Sequence, residues 1–491
     1  MLHGVSFCRG VRRMDFDRRT FLKAGLGSMI AAGISGSLLP SIYSQAKSKV
    51  REFRFFASQA KINLGRGPTF VAWTFNGAVP GPEIRVREGE MIRVILKNYL
   101  PEGTTIHWHG VPVPNAMDGV PGVTQKPVMP GETFIYEFKA YPAGSYIYHS
   151  HFHYQLDQGL YGPLIIEPSS DPGAYDQEYT LMLEDWVMKD GGGAAPTRRR
   201  PPMGGMMGGM MGRGRGWRTG RFPLYEPVYD GYAVNGRIFP ETRPIVIRKG
   251  DRVKLRILNP SSATIYDLSL AGHAFRVTHL DGNPVKPVET DVLRIGMGER
   301  YDVEFLANNP GNWLLAANDS GWGESMLRVP VQYKGVARKD PVAPIFRAGL
   351  RLAGYGDFQA LRPAQETPGS GQRYYLQILS GGMHSPFWTI NGGVYPDSER
   401  LVVKRGDRVR LRYGNRSMRP HPMHLHGHFF KVVNPYLPWE NWILKDTVIV
   451  NPMEQVEIEF SANNPGNWFH HCHNLYHMEA GMANVVRYED F

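Results

Sequence analysis

Arg248-Lys249-Gly250-Asp251-Arg252-Val253-Lys254-Leu255 occurs in recognisable form twice more along the chain. The other copies are Arg87-Glu88-Gly89-Glu90-Met91-Ile92-Arg93-Val94 and Lys404-Arg405-Gly406-Asp407-Arg408-Val409-Arg410-Leu411. Their glycines stand 161 and 156 residues apart, so the repeat has the period of a domain. An Asn-Gly pair precedes each copy: Asn76-Gly77, Asn235-Gly236 and Asn391-Gly392. A Pro/Gly turn into an aromatic strand follows each: Pro142-Ala143-Gly144-Ser145-Tyr146, Pro310-Gly311-Asn312-Trp313 and Pro465-Gly466-Asn467-Trp468. Alternation as in Arg252-Val253-Lys254-Leu255-Arg256-Ile257 predicts a half-buried strand of period two. Short strands between Gly/Pro turns, with no long helical period, predict β-sandwiches. The expected fold is all-β, with three Greek-key sandwich domains at 48–170, 171–345 and 370–491 and a linker at 346–369. A length of 491 residues suits about three domains of roughly 150 residues each.

The net charge of +11 does not describe the folded body. Residues 1–46 hold six basic and two acidic residues, and residues 191–222 hold seven arginines and no acid; together they account for the whole excess. A neutral body means that the basic pI does not argue for a nucleic-acid surface, and no nucleic-acid partner is expected. Arg18-Arg19-Thr20-Phe21-Leu22-Lys23 is a twin-arginine pattern before a mildly apolar stretch, Ala24 to Leu39, too short and too rich in Gly and Ser to span a membrane stably. Ser44-Gln45-Ala46 offers small residues for cleavage. Residues 1–46 are therefore expected to be a signal resembling those of the Tat export machinery, with a periplasmic or otherwise exported mature protein and no stable membrane insertion.

What differs between the copies carries the chemistry. Nine residues after the equivalent asparagine, Asn98 leads to His107-Trp108-His109 and Asn415 to His424-Leu425-His426, whereas Asn259 leads to Leu268-Ser269-Leu270. After the Pro/Gly turns, the outer copies read His149-Ser150-His151 and His471-Cys472-His473, and the middle copy reads Ala316-Ala317-Asn318. Four His-X-His pairs thus occupy matched places in the outer modules and none in the middle one. In a strand, residues two apart share a face, so each pair aims two imidazoles at one spot. Eight imidazoles suit several metal ions rather than one, and neutral imidazole favours Cu, Zn, Fe or Ni.

The chain has two cysteines, Cys8 and Cys472, so no disulfide framework forms once a signal is removed. Cys472 alternates with its flanking histidines and points to the opposite face, toward a separate site. Cys472, His421, His477 and Met482 make a His2Cys set with a weak axial thioether, the blue-copper arrangement. Structural zinc prefers closed four-ligand sets, which ten matched histidines around one thiolate do not resemble. A Cys/His hydrolase leaves the His-X-His repeats unexplained.

With HWHG, HSH, HPMHLHGH and HCHNLYHMEAGM in this order, residues 48–491 resemble a three-domain multicopper oxidase built of cupredoxin modules, closest to bacterial copper-resistance and laccase-like members. The resemblance implies four copper ions. His421, Cys472, His477 and Met482 match the type 1 ligands, and His107 and His424 the type 2 ligands. His109, His149, His151, His426, His471 and His473 match the type 3 pair. It implies one-electron oxidation of a reductant at type 1 copper and four-electron reduction of O2 to water at the trinuclear cluster.

Asp118, in Asn115-Ala116-Met117-Asp118-Gly119, matches an acid that the family places beside the cluster for proton delivery; Asp-Gly is also an ordinary turn. Glu479 reads equally as a proton carrier or a surface residue. His428, His470, His153, His273, His279 and His384 have no place in the ligand set and read as packed histidines. Residues 201–216 have a composition that cannot form a core. Their thioethers Met203, Met206, Met207, Met210 and Met211 are soft ligands suited to transient Cu(I) capture, against a plain solvated linker. Three functions follow: a cuprous oxidase in copper tolerance, a laccase acting on phenols or other small organic reductants, and a non-catalytic exported copper-binding or scaffold protein.

Overall fold

Each repeated stretch becomes a strand that pairs in parallel with the first strand of its module. Met91–Asn98 pairs with Val50–Ile62, Arg252–Leu258 with Gln177–Trp186, and Asp407–Asn415 with Gly371–Gly381. The computed structural model describes residues 50–169, 175–188, 226–319, 323–347, 349–362, 371–382 and 385–491. The twin-arginine signal, the Met/Arg/Gly-rich segment and His384 lie outside these residues. All described residues belong to one compact unit.

Six sheets stack in pairs. The first module has two four-stranded sheets, the second a seven- and a five-stranded sheet, and the third a six- and a five-stranded sheet. Among the described residues the α-helix is the five-residue Leu475–Glu479, whose start is capped by Asn474 through the N–H groups of Tyr476 and His477. The all-β, three-module architecture is as the sequence implied.

The repeated polar residues explain the repeated geometry. Asn76, Asn235 and Asn391 have φ of 58°, 52° and 53°, each followed by a glycine of φ 72–77°, the hairpin turn that Asn-Gly favours. Their side chains accept from the N–H of Phe56, Met182 and Ile378 and donate to the carbonyls of Arg54, Thr180 and Leu376 at 2.7–3.0 Å. Buried Asn98, Asn259 and Asn415 each donate to loop carbonyls through Nδ2. In the outer modules this pins the loop that leads to the first His-X-His strand.

Burial alternates as expected along Met91–Asn98 and Asp407–Asn415. It does not along Arg252–Leu258, where six successive residues are buried. The half-buried expectation fails there because the polar face is covered and charge-matched. Lys254 pairs with Asp302 at 3.1 Å. Arg256 pairs with Asp302 at 3.0 Å and Glu178 at 2.9 Å, and donates to Ser145 Oγ of the first module at 3.0 Å. A charged residue is tolerated inside when paired and hydrogen-bonded.

The first module packs its own core around Phe55, Trp108, Tyr136 and Tyr148. A separate apolar cluster gathers Phe70, Ile147, Trp186, Ile238, Phe469 and Tyr476 from all three modules. That cluster brings the His-X-His strands of the first and third modules together.

Candidate metal centres

In the first module His107 lies opposite His149 on the paired strands His107–His109 and Gly144–His149. In the third, His424 lies opposite His471 on His421–Leu425 and Asn467–Cys472. The middle module keeps the same strand pair with Leu268 opposite Ala317, one residue further along. Only the pair His107/His109 lies wholly within a strand, with its residues two apart. His151, His426 and His473 stand just past the ends of Gly144–His149, His421–Leu425 and Asn467–Cys472, and the two members of each of these three pairs divide between neighbouring ligand sets rather than meeting at one spot.

The eight imidazoles sort into sets whose ligating atoms lie within 4.8 Å of one another. His109, His149 and His473 form one triad; His151, His426 and His471 form another; His107 and His424 meet beside His109. Both triads draw on the first and third modules. In the second triad, His426 Nε2 and His151 Nε2 lie 3.1 Å and 3.4 Å from His471 Nε2.

One nitrogen of most rings is held by the protein. His107 Nδ1 lies 2.8 Å from the carbonyl oxygen of Asp118, and His424 Nδ1 2.8 Å from that of Asp446. His149 Nδ1 and His471 Nδ1 lie 3.0 Å and 2.9 Å from the carbonyls of Ser150 and Cys472. His426 Nδ1 faces the Asp118 carboxylate at 3.0 Å, and His109 Nε2 faces Asp446 Oδ1 at 3.1 Å. The opposite nitrogens are buried without a hydrogen-bond partner: Nε2 of His107, His149 and His424, Nδ1 of His109, and both nitrogens of His473. Buried polar atoms are rarely left so. An imidazole anchored at one nitrogen, with the other lone pair aimed at a shared point, has the arrangement of a metal-binding histidine.

The electrostatics agree. Burial lowers the pKa of His149 to about 3, and burial with neighbouring imidazoles holds His109, His151, His426, His471 and His473 far below the usual histidine range. This favours the neutral form of these six rings, the form that binds metal. A void of about 10 Å³ lies among His149, His151, His471 and His473. A cleft of about 400 Å³, lined by Phe152, His153, Tyr395, Met478 and Glu479, reaches His151 from outside.

The second site lies on the other face of the Cys472 strand. Cys472 Sγ is 3.6 Å from His421 Nδ1 and 3.7 Å from His477 Nδ1, and the two Nδ1 atoms are 3.1 Å apart. All three residues and Met482 are buried. Cys472 N donates to the Met482 carbonyl at 3.0 Å. Burial lowers His421 to about 3 and pushes the Cys472 thiol well up. A thiol this buried becomes a thiolate where a cation replaces its proton. A set of two imidazoles and one thiolate suits copper.

Of the other described histidines, His470, His428, His273 and His279 pack, whereas His153 is partly exposed in the cleft. His470 bridges Tyr413 Oη and Asn484 Oδ1 at 2.8 Å and 2.7 Å. His428 and His273 repeat one arrangement, each bridging a carbonyl and a tyrosine hydroxyl. His279 Nδ1 lies 3.0 Å from Thr278 Oγ1, and His153 Nδ1 3.4 Å from Glu479 Oε2.

Sequence reasoning missed Asp446, Arg300 and Glu226. Asp446 is fully buried against His109. Glu226 Oε2 lies 3.8 Å from His477 Nε2 and 3.3 Å from Asn474 Nδ2, and Glu226 Oε1 lies 3.4 Å from Arg419. None sits in a repeated motif, so no pattern in the chain marked them.

Comparison with known proteins agrees with this geometry. Three family models described as multicopper oxidase match residues 57–171, 177–332 and 369–490. The chain is 34% identical to the multicopper oxidase MmcO of Mycobacterium tuberculosis, over 96% of this chain and 97% of the relative. It is 27% identical to a copper resistance protein A homolog of Pseudomonas syringae pv. tomato, over 96% and 99%. The solved multi-copper oxidase of Pseudomonas thermotolerans superposes with a TM-score of 0.69 at 27% identity, over 90% of this chain and all of that one. This chain belongs to the multicopper oxidase family, whose members are oxidoreductases with copper as cofactor.

Proposed function

We propose that the chain is an exported cuprous oxidase acting in copper tolerance. In this reading His421, Cys472, His477 and Met482 hold type 1 copper, and His107 and His424 hold type 2. The triads His109/His149/His473 and His151/His426/His471 hold the type 3 pair. Bound copper supplies one-electron redox chemistry, so that four electrons drawn singly from a reductant, with four protons, reduce O2 to two waters. The tripeptide His471-Cys472-His473 joins the two sites through its main chain. The cleft at His151 is the route for O2 and water. Asp118, against His426 and His107, is the acid placed to deliver protons.

The observation that carries the cuprous reading is Glu226, whose carboxylate approaches the outward nitrogen of His477 at 3.8 Å. A carboxylate there attracts a cationic reductant to the edge where electrons enter. The thioethers of residues 201–216 precede Glu226 in the chain and supply soft ligands for Cu(I). A laccase reading is favoured by Trp388, a half-buried indole whose ring lies 3.9 Å from that of His477 and offers a stacking surface to a phenol.

Steady-state oxidation of Cu(I) and of a phenol, in wild type and with 201–216 deleted, decides between them. Selective loss of Cu(I) oxidation supports the cuprous role, and unchanged Cu(I) turnover denies the methionines a part in it. Cys472→Ser loses the blue colour and both activities; retention of both overturns the ligand set. The twin-arginine pattern supports export through the Tat machinery to the periplasm. Detection of the Arg18→Lys/Arg19→Lys protein only in the cytoplasm tests this. No described helix is long and apolar enough to cross a membrane. We also propose domain limits at 48–170, 171–345 and 370–491, with 1–46 removed, which N-terminal sequencing of the exported protein checks.

A further inference from the structure

The middle module has no His-X-His pairs, yet its loop Gly296–Arg300 runs against the cluster. A Cβ on Gly298, whose φ is +82°, would stand 2.8 Å from His109 Cε1 and from His473 Cδ2. Two residues on, the fully buried Arg300 grips Asp446 of the third module with two prongs, Nη1 to Oδ1 at 2.7 Å and Nη2 to Oδ2 at 2.6 Å. Two further donors are also used: Nε to the Ser145 carbonyl of the first module at 3.1 Å and the second Nη1 hydrogen to the Gly298 carbonyl at 2.9 Å. Asp281 fixes both ends of the pair. It accepts from Arg300 N at 2.9 Å, and from Asp446 N and Thr447 N at 3.2 Å and 3.3 Å. Gly110 of the first module packs so closely that a Cβ there would overlap Arg300 Nη2 and Asp446 Oδ2. All three modules meet at this one ion pair.

Asp446 touches two candidate ligands. Its Oδ1 lies 3.1 Å from His109 Nε2, and its main-chain carbonyl 2.8 Å from His424 Nδ1. We propose that Arg300 is a positioning residue for the copper cluster, contributed by the module that has no ligands of its own. By fixing both oxygens of Asp446 it fixes the tautomer and tilt of His109 and the carbonyl that orients His424. The hydrogen of His109 then sits on Nε2 toward Asp446, leaving the Nδ1 lone pair to the shared centre. This is the role of the carboxylate behind a metal-bound imidazole, with one further layer. The planar guanidinium is needed because an ammonium cannot grip both oxygens in a fixed plane. Removing only one partner would strand a buried charge, whereas replacing both by apolar groups preserves the fold.

The proposal rests on the ligand assignment above, and wild-type copper content with its type 2 electron paramagnetic resonance signal tests that assignment separately. The test of Arg300 uses full-length Arg300→Met, Arg300→Lys and the double variant Arg300→Met/Asp446→Leu, loaded with copper. We expect Arg300→Met to keep the blue type 1 band and to lose about 10- to 100-fold in affinity for cluster copper, the range for such supporting partners. Arg300→Lys keeps the charge and loses the two-pronged grip, and it should shift the type 2 signal without moving the type 1 signal. The double variant should recover the melting temperature of the copper-free protein without recovering cluster copper. Wild-type cluster copper in the double variant, or an unchanged type 2 signal in Arg300→Lys, overturns the proposal and leaves the ion pair a structural one. If Arg300→Met does not accumulate, the other two variants decide.

Discussion

Glu226 Oε2 stands 3.8 Å from Nε2 of His477, the imidazole whose other nitrogen faces Cys472 Sγ. A partly exposed carboxylate and the buried Cys472 site are thus joined through a single ring. Glu226→Gln keeps the shape and removes the charge. We expect kcat/KM for Cu(I) to fall about tenfold at low salt, with the gap narrowing as salt rises because the lost attraction is screened in wild type as well. Phenol oxidation should change much less. Equal losses for both reductants would remove Glu226 from cation recognition.

Asp118 holds His426 through its carboxylate and His107 through its carbonyl. Asp118→Asn keeps the carbonyl and loses the charge. We expect turnover to fall about 10- to 100-fold while the blue band and its reduction by substrate stay intact. Rapid-mixing measurement of the two half-reactions separates them; a slowed reduction of the blue band would place the role of Asp118 elsewhere.

Gly298→Ala places a methyl against His109 and His473 and forces an alanine to a φ of +82°. Strain of this kind costs about 1–3 kcal/mol, and the clash falls on one triad. The expected outcome is loss of copper from the His109/His149/His473 set with the type 1 site filled. Copper counted per chain, beside the blue absorbance, checks it.

Burial holds His470 and His428 near a pKa of about 4, below the unfolded value of about 6.5. Between these values the unfolded chain binds more protons, so stability rises with pH there. The two groups' contribution is therefore present in full above about 6.5 and is lost as pH falls toward 4, each group costing up to about 1.4 kcal/mol per pH unit in that window. Thermal unfolding of the copper-free protein from pH 7.5 to 4.5 should show this fall, and His470→Gln should make it shallower. A pH-independent melting temperature in that window would contradict it.

The three-module fold was legible because the repeat preserves what each turn requires. Asn76, Asn235 and Asn391 occupy the same backbone conformation and make the same two hydrogen bonds. The candidate ligands were legible because the His-X-His pairs recur at matched places in the outer modules, but their division into triads was not, since His151, His426 and His473 lie just past their strand ends. The sequence did not reveal that Arg252–Leu258 is buried on both faces, since its charged residues find partners far along the chain. Asp446, Arg300 and Glu226 were hidden for the same reason. A buried ion pair between residues 146 apart leaves no periodic trace, and Glu226 follows a segment whose composition says nothing about where the chain re-enters the fold.

The grouping of the histidines also governs when copper can be held. His149 belongs with His473, and His151 with His471, so neither triad exists until residues 471–473 of the third module are in place. A chain that stops short of residue 424 has two members of the first triad, one of the second and one of the His107/His424 pair, and completes none. Cofactor retention is thereby a check on closure: the triads form only where the first and third sandwiches stand in register.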